Sequence, residues 1–377
     1  MAGRAESGAN KGGGDRPVRN GPATEDEEEQ RHCSYAMQLV NSLALPTVLQ
    51  VAVELGVLEI IAKAECAGGS LLTSSEIASR IPGCRNPDAP HMLDRMLRLL
   101  VSHSVLTCSD DQDDGRHRYG LAPVAKYFIG DQDGASLGPL VSLVQDEVFL
   151  ASWSELKASI LGGGVPFDRV HGMHAFDYPG KDPRFNEVFN KAMVGHTGIA
   201  MKKILEYYKG GFEQLKQLVD VGGGLGIALG LITSKYPHIK GINFDQPHVV
   251  RDAPSYPGVE HVGGNMFESV PEGEAILMKW ILHDWSDDHC LKLLKNCHKA
   301  LPENGKVIVV EVILPTEPDT RSETIANYEI DLLMMTQNPG GKERTRPEFL
   351  RLATGAGFSG IRFEAFAFNF WVMEFYK

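Results

Sequence analysis

A chain of 377 residues, 43% hydrophobic and 23% charged, has material for two or three globular domains and a sizeable core. Its formal net charge of -12 argues against a general nucleic-acid or anionic-membrane surface. Six scattered cysteines (Cys33, Cys66, Cys84, Cys108, Cys290, Cys297) form no CxxC pair, which argues against a disulfide framework or zinc module and for a reduced, cytoplasmic protein.

Residues 1–30 (MAGRAESGANKGGGDRPVRNGPATEDEEEQ) are poor in apolar residues and biased to Gly and Glu, the composition of a disordered tail without a secretory signal. From about 31 to 105 the spacing is helical, interrupted near Pro46. A short helix follows in LLTSSEIASRIP, with Ser74 or Ser75 as its expected cap, then a longer one in APHMLDRMLRLLVSHSVL. Residues 104–123 read as two strands around a polar turn at Gly115. Three helices and a hairpin outline a winged helix, which raises a DNA-binding regulator as one reading. Between Cys84 and Lys126, however, six Lys/Arg are balanced by six Asp/Glu. A DNA reader needs a basic face, so a packing or dimerisation domain over 31–130 is preferred.

Residues 131–215 are again mostly helical, with a loop expected over 161–180. From 218 onward, five candidate strands (219–222, 239–245, 260–263, 275–280, 306–312) alternate with helical stretches such as HCLKLLKNCHKALP. Two close strands, GIRFEAF and NFWVMEFY, end the chain as an expected antiparallel edge. This alternation predicts an α/β domain over 131–377, a mostly parallel sheet covered on both faces.

The stretch LVDVGGGLG (218–226) places glycines where a strand turns into a helix, a corner at which a ligand approaches the backbone. It gives GxGxG rather than GxGxxG, and GGKERT (340–345) fails as a phosphate loop because Glu343 follows Lys342. Asp245 ends the next strand, where an acid binds ribose hydroxyls. An NAD-dependent oxidoreductase stays open at this point. Asp220 inside the first strand suits a ligand with an ammonium group and a positive centre. GGNMF (263–267) and MKWILHDW (278–285) lie at further strand ends. Together they read as a cradle for S-adenosylmethionine.

Methyl transfer to a phenol, whose pKa of ~10 makes it a poor nucleophile, calls for a base. His283 in WILHDWSDDHC follows one candidate strand and precedes a helix with Cys290, Leu294, Cys297 and Leu301 on its apolar stripe. A histidine is suited to the proton transfer. The crowd His283, Asp284, Asp287, Asp288, His289 matches no compact metal-ligand spacing. Glu311, in the apolar run VIVVEVILP, needs a partner if buried. With Glu343 it would hold an imidazole in one tautomer.

LVDVGGGLG, KGINFDQPHVV, APSYPGVEHVGGNMF, MKWILHDWSDDHC, ALPENGKVIVVE and NPGGKERT, six motifs in order, resemble the plant caffeic acid O-methyltransferase family from about residue 33 to the C-terminus. The resemblance implies a homodimer and a Rossmann-like catalytic domain with a seven-stranded sheet. It also implies S-adenosylmethionine as donor (product S-adenosylhomocysteine), no metal, and a phenolic acceptor. By motif it implies His283 as base flanked by Glu311 and Glu343. Donor contacts are implied at Gly222, Asp245, Asn265, Met266, Lys279 and Trp285. An acceptor pocket is implied at Phe185, Phe189, Met193, His196, Asp284, Leu333, Met334 and Asn338. Three departures stand out: Asn265 replaces an Asp that faces the adenine, SLVQDEV (142–148) lacks a pocket asparagine, and Pro179 stands where a histidine is common. Lost polar handles imply a specialised catechol-type acceptor such as a lignan, alkaloid or flavonoid. The alternative is caffeic or 5-hydroxyferulic acid of lignin biosynthesis.

Overall fold

The computed structural model describes residues 24–110 and 116–377; the turn expected at Gly115 and residues 1–23 of the expected tail lie outside them. Residues up to Leu45 and from Pro46 onward form two compact units. The first contains α1 (Glu25–Val40), so the final residues of the stretch read as a tail are helical. Thr24 and Glu27 close a capping box there, and Glu25, Asp26, Glu27 and Glu28 fill the first turn. Carboxylates at that end satisfy free N–H groups and the positive end of the helix dipole. The acidic run is a helix start.

After α2 (Ala44–Glu54) the winged-helix outline holds. It comprises α3 (Val57–Cys66), β1 (Leu72–Thr73), α4 (Ser74–Arg80), α5 (Ala89–Ser102), β2 (Leu106–Asp110) and β3 (His117–Leu121). The three strands form one antiparallel sheet in the order β1-β3-β2. Neither Ser74 nor Ser75 caps α4. Thr73 does, in a capping box with Glu76, because the Thr73–Glu76 spacing lets each side chain reach the other's backbone N–H.

Five helices follow: α6 (Gly138–Val144), α7 (Glu147–Ser154), α8 (Leu156–Gly162), α9 (Pro166–His171) and α10 (Pro183–Tyr207). The loop expected over 161–180 is broken by α9, which Pro166 starts in its first turn.

The sheet then builds from β4 (Gln217–Val221), α11 (Ile227–Lys235), β5 (Lys240–Asp245), α12 (Pro247–Val250), β6 (Val259–Gly263), β7 (Ala275–Lys279), α13 (Asp287–Ala300) and β8 (Lys306–Glu311). After β9 (Ile313–Leu314), α14 (Ser322–Gln337), β10 (Arg344–Thr345) and α15 (Arg346–Gly355), the chain closes on β11 (Gly360–Ala367) and β12 (Phe370–Tyr376). The seven strands run β11-β12-β8-β7-β4-β5-β6, with only β12 antiparallel to its neighbours β8 and β11. Ala275 to Met278 and Val307 to Val310 are fully buried, as expected of parallel strands packed on both faces. From β4 the chain moves outward through β5 to β6, then returns to β7 on the other side. The strand order reverses between β4 and β7, the switch point at whose carboxyl ends such sheets bind ligands.

Candidate active site

The glycine corner sits at the end of β4. Gly222, Gly224 and Gly226 have φ of 71°, 57° and 81°, values that side-chain-bearing residues rarely adopt. Gly223 is small for another reason: an added Cβ would lie 2.1 Å from Asn243 Oδ1 and 2.7 Å from Asp220 Oδ2. Both peptide groups of Gly224 are tied to β5. Its N–H donates to Asp245 (2.8 Å) and its carbonyl accepts from Asn243 Nδ2 (2.9 Å). His261 Nδ1 lies 3.0 Å from the same Asn243 amide. The loop is therefore held open in advance, and nothing approaches within 4 Å of a Cβ built on Gly224.

Beneath the loop lie ionisable groups in poor solvent. Burial pushes Asp220 up to about 7 despite the pull of Lys279, and one of its oxygens has no hydrogen-bond partner. Burial also raises Asp245 and lowers Lys279 to about 8. Two desolvated carboxylates beside an open glycine loop suit a cationic ligand carrying ribose hydroxyls. This donor set fits S-adenosylmethionine. Met266 packs on the core below, while Trp285 stacks with His174 and Phe176 and meets Phe267 edge-on. Asn265 is exposed, and its amide is engaged locally, accepting from Phe267 N–H (3.0 Å) and donating to Glu268 (3.1 Å).

His283 lies in a short 3-10 turn after β7 and is buried. Its Nδ1 is 2.7 Å from Glu343 Oε1, and its Nε2 is 3.6 Å from Asp284 Oδ1. Burial alone would lower its pKa, but the charges of Glu343, Asp284 and Glu311 lift it to about 10. Burial pushes Asp284 up to about 7. Glu311 departs from the expected geometry. Its Oε1 accepts the N–H groups of Ile281 and Leu282 (2.9 and 2.8 Å), so it braces the turn while Glu343 holds the ring. The pairing of β9 with β10, Ile313 opposite Arg344, draws the segments carrying Glu311 and Glu343 together. Donor atoms of His283, Glu311 and Glu343 fall within 4.8 Å of one another, with Glu311 Oε1 committed to the turn's N–H groups and His283 Nδ1 to Glu343.

The residues expected to line an acceptor pocket fall into three groups. Phe185, buried, joins Phe149 and Phe167 in one apolar cluster against which Phe189, Met193 and Leu333 pack. Asn338 donates to Asp284 Oδ1 (2.8 Å) and touches Met334 sulfur. His196 is buried and stacked on Trp280. Burial, with Lys279 and His283 nearby, holds it well below the usual histidine range.

Comparison with known proteins agrees with this arrangement. Residues 153–359 match the O-methyltransferase domain and residues 37–131 the O-methyltransferase dimerisation domain. The chain is 60% identical to Cathecol O-methyltransferase 1 of Solanum lycopersicum, over 94% of this chain and 98% of that one. It is 58% identical to Caffeic acid 3-O-methyltransferase 1 of Populus tremuloides (94% and 96% covered). It is 56% identical to Anthranilate N-methyltransferase of Ruta graveolens (95% and 97%). The chain belongs to the plant caffeic acid O-methyltransferase family. Its fold also matches human N-acetylserotonin methyltransferase in complex with SAM, at TM-score 0.76 and 21% identity over 94% of this chain and 99% of that one. The family membership makes the protein an S-adenosylmethionine-dependent O-methyltransferase and a homodimer.

Several residues of this O-methyltransferase that shape the site escape sequence reasoning. Arg344 is fully buried and donates to Leu282 O (2.6 Å), Trp285 O (2.7 Å) and Asp287 (2.8 Å). Lys342 N–H donates to His283 O (2.9 Å), and Glu343 N–H to Asp331 (2.8 Å). GGKERT, rejected as a phosphate loop, is the clamp on the histidine turn. Asn243 did leave a signal, a polar residue in the apolar strand KGINFD.

Proposed function

We propose that the enzyme methylates a phenolic hydroxyl of a catechol-type plant metabolite, with His283 as general base. The observation carrying this reading is the buried His283–Glu343 pair (2.7 Å) beside Asp284 and Asn338. With Glu343 accepting from Nδ1, the free nitrogen is Nε2, which takes the phenolic proton. S-adenosylmethionine, when bound, supplies a sulfonium methyl group open to direct displacement by oxygen. Gly222, Asp245, Asn265, Met266, Lys279 and Trp285 would hold it, with Asp220 below. The neighbouring carboxylates raise His283 to about 10, close to a phenol at ~10, so proton transfer is near balanced once the ring is neutral, and the neutral fraction grows with pH. Asp284 and Asn338 orient the ring end.

The acceptor we favour carries a larger or less polar substituent than caffeic acid, such as a lignan, alkaloid or flavonoid. Supporting this are the aromatic wall of Phe149, Phe185 and Phe189 and the commitment of Asp146 to Arg184 (2.6 Å) and to Val148 N–H. A buried polar group without a partner costs about 1–3 kcal/mol, so a free carboxylate would fit poorly. Relatives with caffeic acid in their names keep lignin precursors as the alternative. We also assign residues 31–130 to dimerisation, 131–377 to catalysis, and the cytoplasm as compartment, on the scattered cysteines. No single helix among the described residues is long and apolar enough to cross a membrane.

The test is a competition among caffeic acid, caffeoyl aldehyde, a catechol lignan, a benzylisoquinoline alkaloid, a catechol flavonoid and anthranilate, with wild-type enzyme and His283→Ala. We expect the highest kcat/KM for one of the three bulky catechols, no effect of a chelator, and a loss of about 10²–10⁴-fold in the variant. Caffeic acid ranking first would sink the specialised acceptor. Wild-type turnover by His283→Ala would move the base elsewhere.

A further inference from the structure

We propose that Trp280 is a positioning residue for methyl transfer, its indole fixing the spacing between Lys279 on the donor side and His283 on the acceptor side. The proposal rests on the reading of His283 as base. Three observations single out this side chain. Its backbone has φ of 56°, and only Ser104, Phe368 and Asn369 share a positive φ among the described non-glycine residues. A bulky aromatic residue is rare there, and its conformation is imposed in part by Trp280 N–H donating to Val310 O (3.1 Å). Its indole N–H is buried without a hydrogen-bond partner, whereas a buried tryptophan usually satisfies that donor.

The third observation is what the ring touches. His196 lies face to face with it, 3.8 Å between centroids and 2° from parallel. His283 is 5.5 Å away at 22°. Lys279 Nζ is 4.9 Å from the ring centroid, within the range of a cation–π contact. Phe370 closes the ring edge-on, and Phe368, itself in the left-handed region, also packs on His196. One indole thus contacts the base, the lysine under the donor cradle and the acceptor-side histidine. An apolar core position asks for neither a left-handed tryptophan nor an unpaired N–H. Both features destabilise the fold, and such departures concentrate where a site requires them. The contacts with Lys279 and His283 are what the ring provides in return.

The test uses full-length wild type, Trp280→Phe, Trp280→Leu, Trp280→Gly, His283→Ala and the Trp280→Leu/His283→Ala pair. S-adenosylmethionine is the donor, and caffeic acid and a catechol flavonoid are the acceptors. Leu should lower kcat at least about 10-fold while S-adenosylhomocysteine affinity stays within about threefold; Phe, which keeps a ring, should recover most of the loss. Gly relaxes the left-handed backbone, so it should melt no lower than Leu yet stay as slow. On the His283→Ala background, Leu should add less than about twofold, because residues acting through one group are non-additive. Wild-type kcat in Leu, restored kcat in Gly, or a full multiplicative loss in the double variant would each overturn the proposal. An active His283→Ala would remove the base reading and this inference together, an outcome distinct from failure at Trp280 alone.

Discussion

Two buried carboxyl groups, Glu311 and Glu343, and the half-buried Asp284 surround one imidazole and set the proton affinity of this site. For His283, desolvation favours the neutral ring, yet Glu343, Asp284 and Glu311 outweigh it and hold the pKa at about 10. The base we propose must be neutral to act, so the competent fraction grows as pH rises toward that value. The acid limb of kcat/KM should therefore lie above the ordinary histidine value of ~6.5. Glu343→Gln removes the nearest negative charge, and the limb should move to lower pH. The plateau should fall as well, since an amide no longer enforces one tautomer. Stability gives an independent check on the same residue. A histidine whose folded pKa is raised contributes stability that is fully present below its unfolded value and lost as pH climbs through the folded one. The melting temperature of Glu343→Gln should thus trail wild type more at pH 6 than at pH 10. Profiles measured from pH 6 to 10 decide both points; an unmoved limb would assign the titration to another group.

At the scale of elements, the short turn between β7 and α13 is the part that everything else holds still. Glu311 takes two of its N–H groups, Lys342 N–H takes the His283 carbonyl, and Arg344 takes the carbonyls of Leu282 and Trp285. The strands and the corner at β4 were legible because apolar runs and glycines mark them locally. The clamp was not, because Arg344 lies about sixty positions from its partners and reads in isolation as one more surface cation. Glu311 was legible as a buried acid but not as a backbone brace, since sequence carries no sign of which groups a carboxylate meets. Arg344→Met should leave two carbonyls without their charged donor, at about 1–3 kcal/mol each. We expect urea unfolding to show a loss of about 2–4 kcal/mol, with a fall in kcat. Arg344→Lys should restore less than half, because an ammonium lacks the planar fork that reaches two carbonyls and Asp287 at once. Full recovery with lysine would mean that charge alone secures the turn.

For the whole molecule, the sequence made the seven-stranded sheet and the winged-helix outline readable through periodicity, but it hid the start of α1 behind an acidic run that resembles a tail. That helix matters for assembly. Tyr35, Met37, Leu39 and Val40 are 56–77% exposed, and no residue of α1 is buried within the chain. The protein is a homodimer, and from Met37 onward these residues belong to the matched dimerisation domain. We expect the symmetry mate to cover this apolar face, each side chain then counting twice under a two-fold axis. Burying an aliphatic side chain contributes about 1.5–3 kcal/mol, and every 1.4 kcal/mol is about tenfold in affinity. Replacing Met37 and Val40 with lysine should therefore weaken the dimer by at least about 10²-fold. Lysine is the informative choice because α1 has no basic residue in its last turn, where a cation favours the helix. Loss of association then cannot be assigned to loss of the helix, and circular dichroism should stay at wild-type level. Sedimentation velocity across a dilution series measures the outcome: a double-lysine variant that stays dimeric at the lowest concentrations would exclude α1 from the interface.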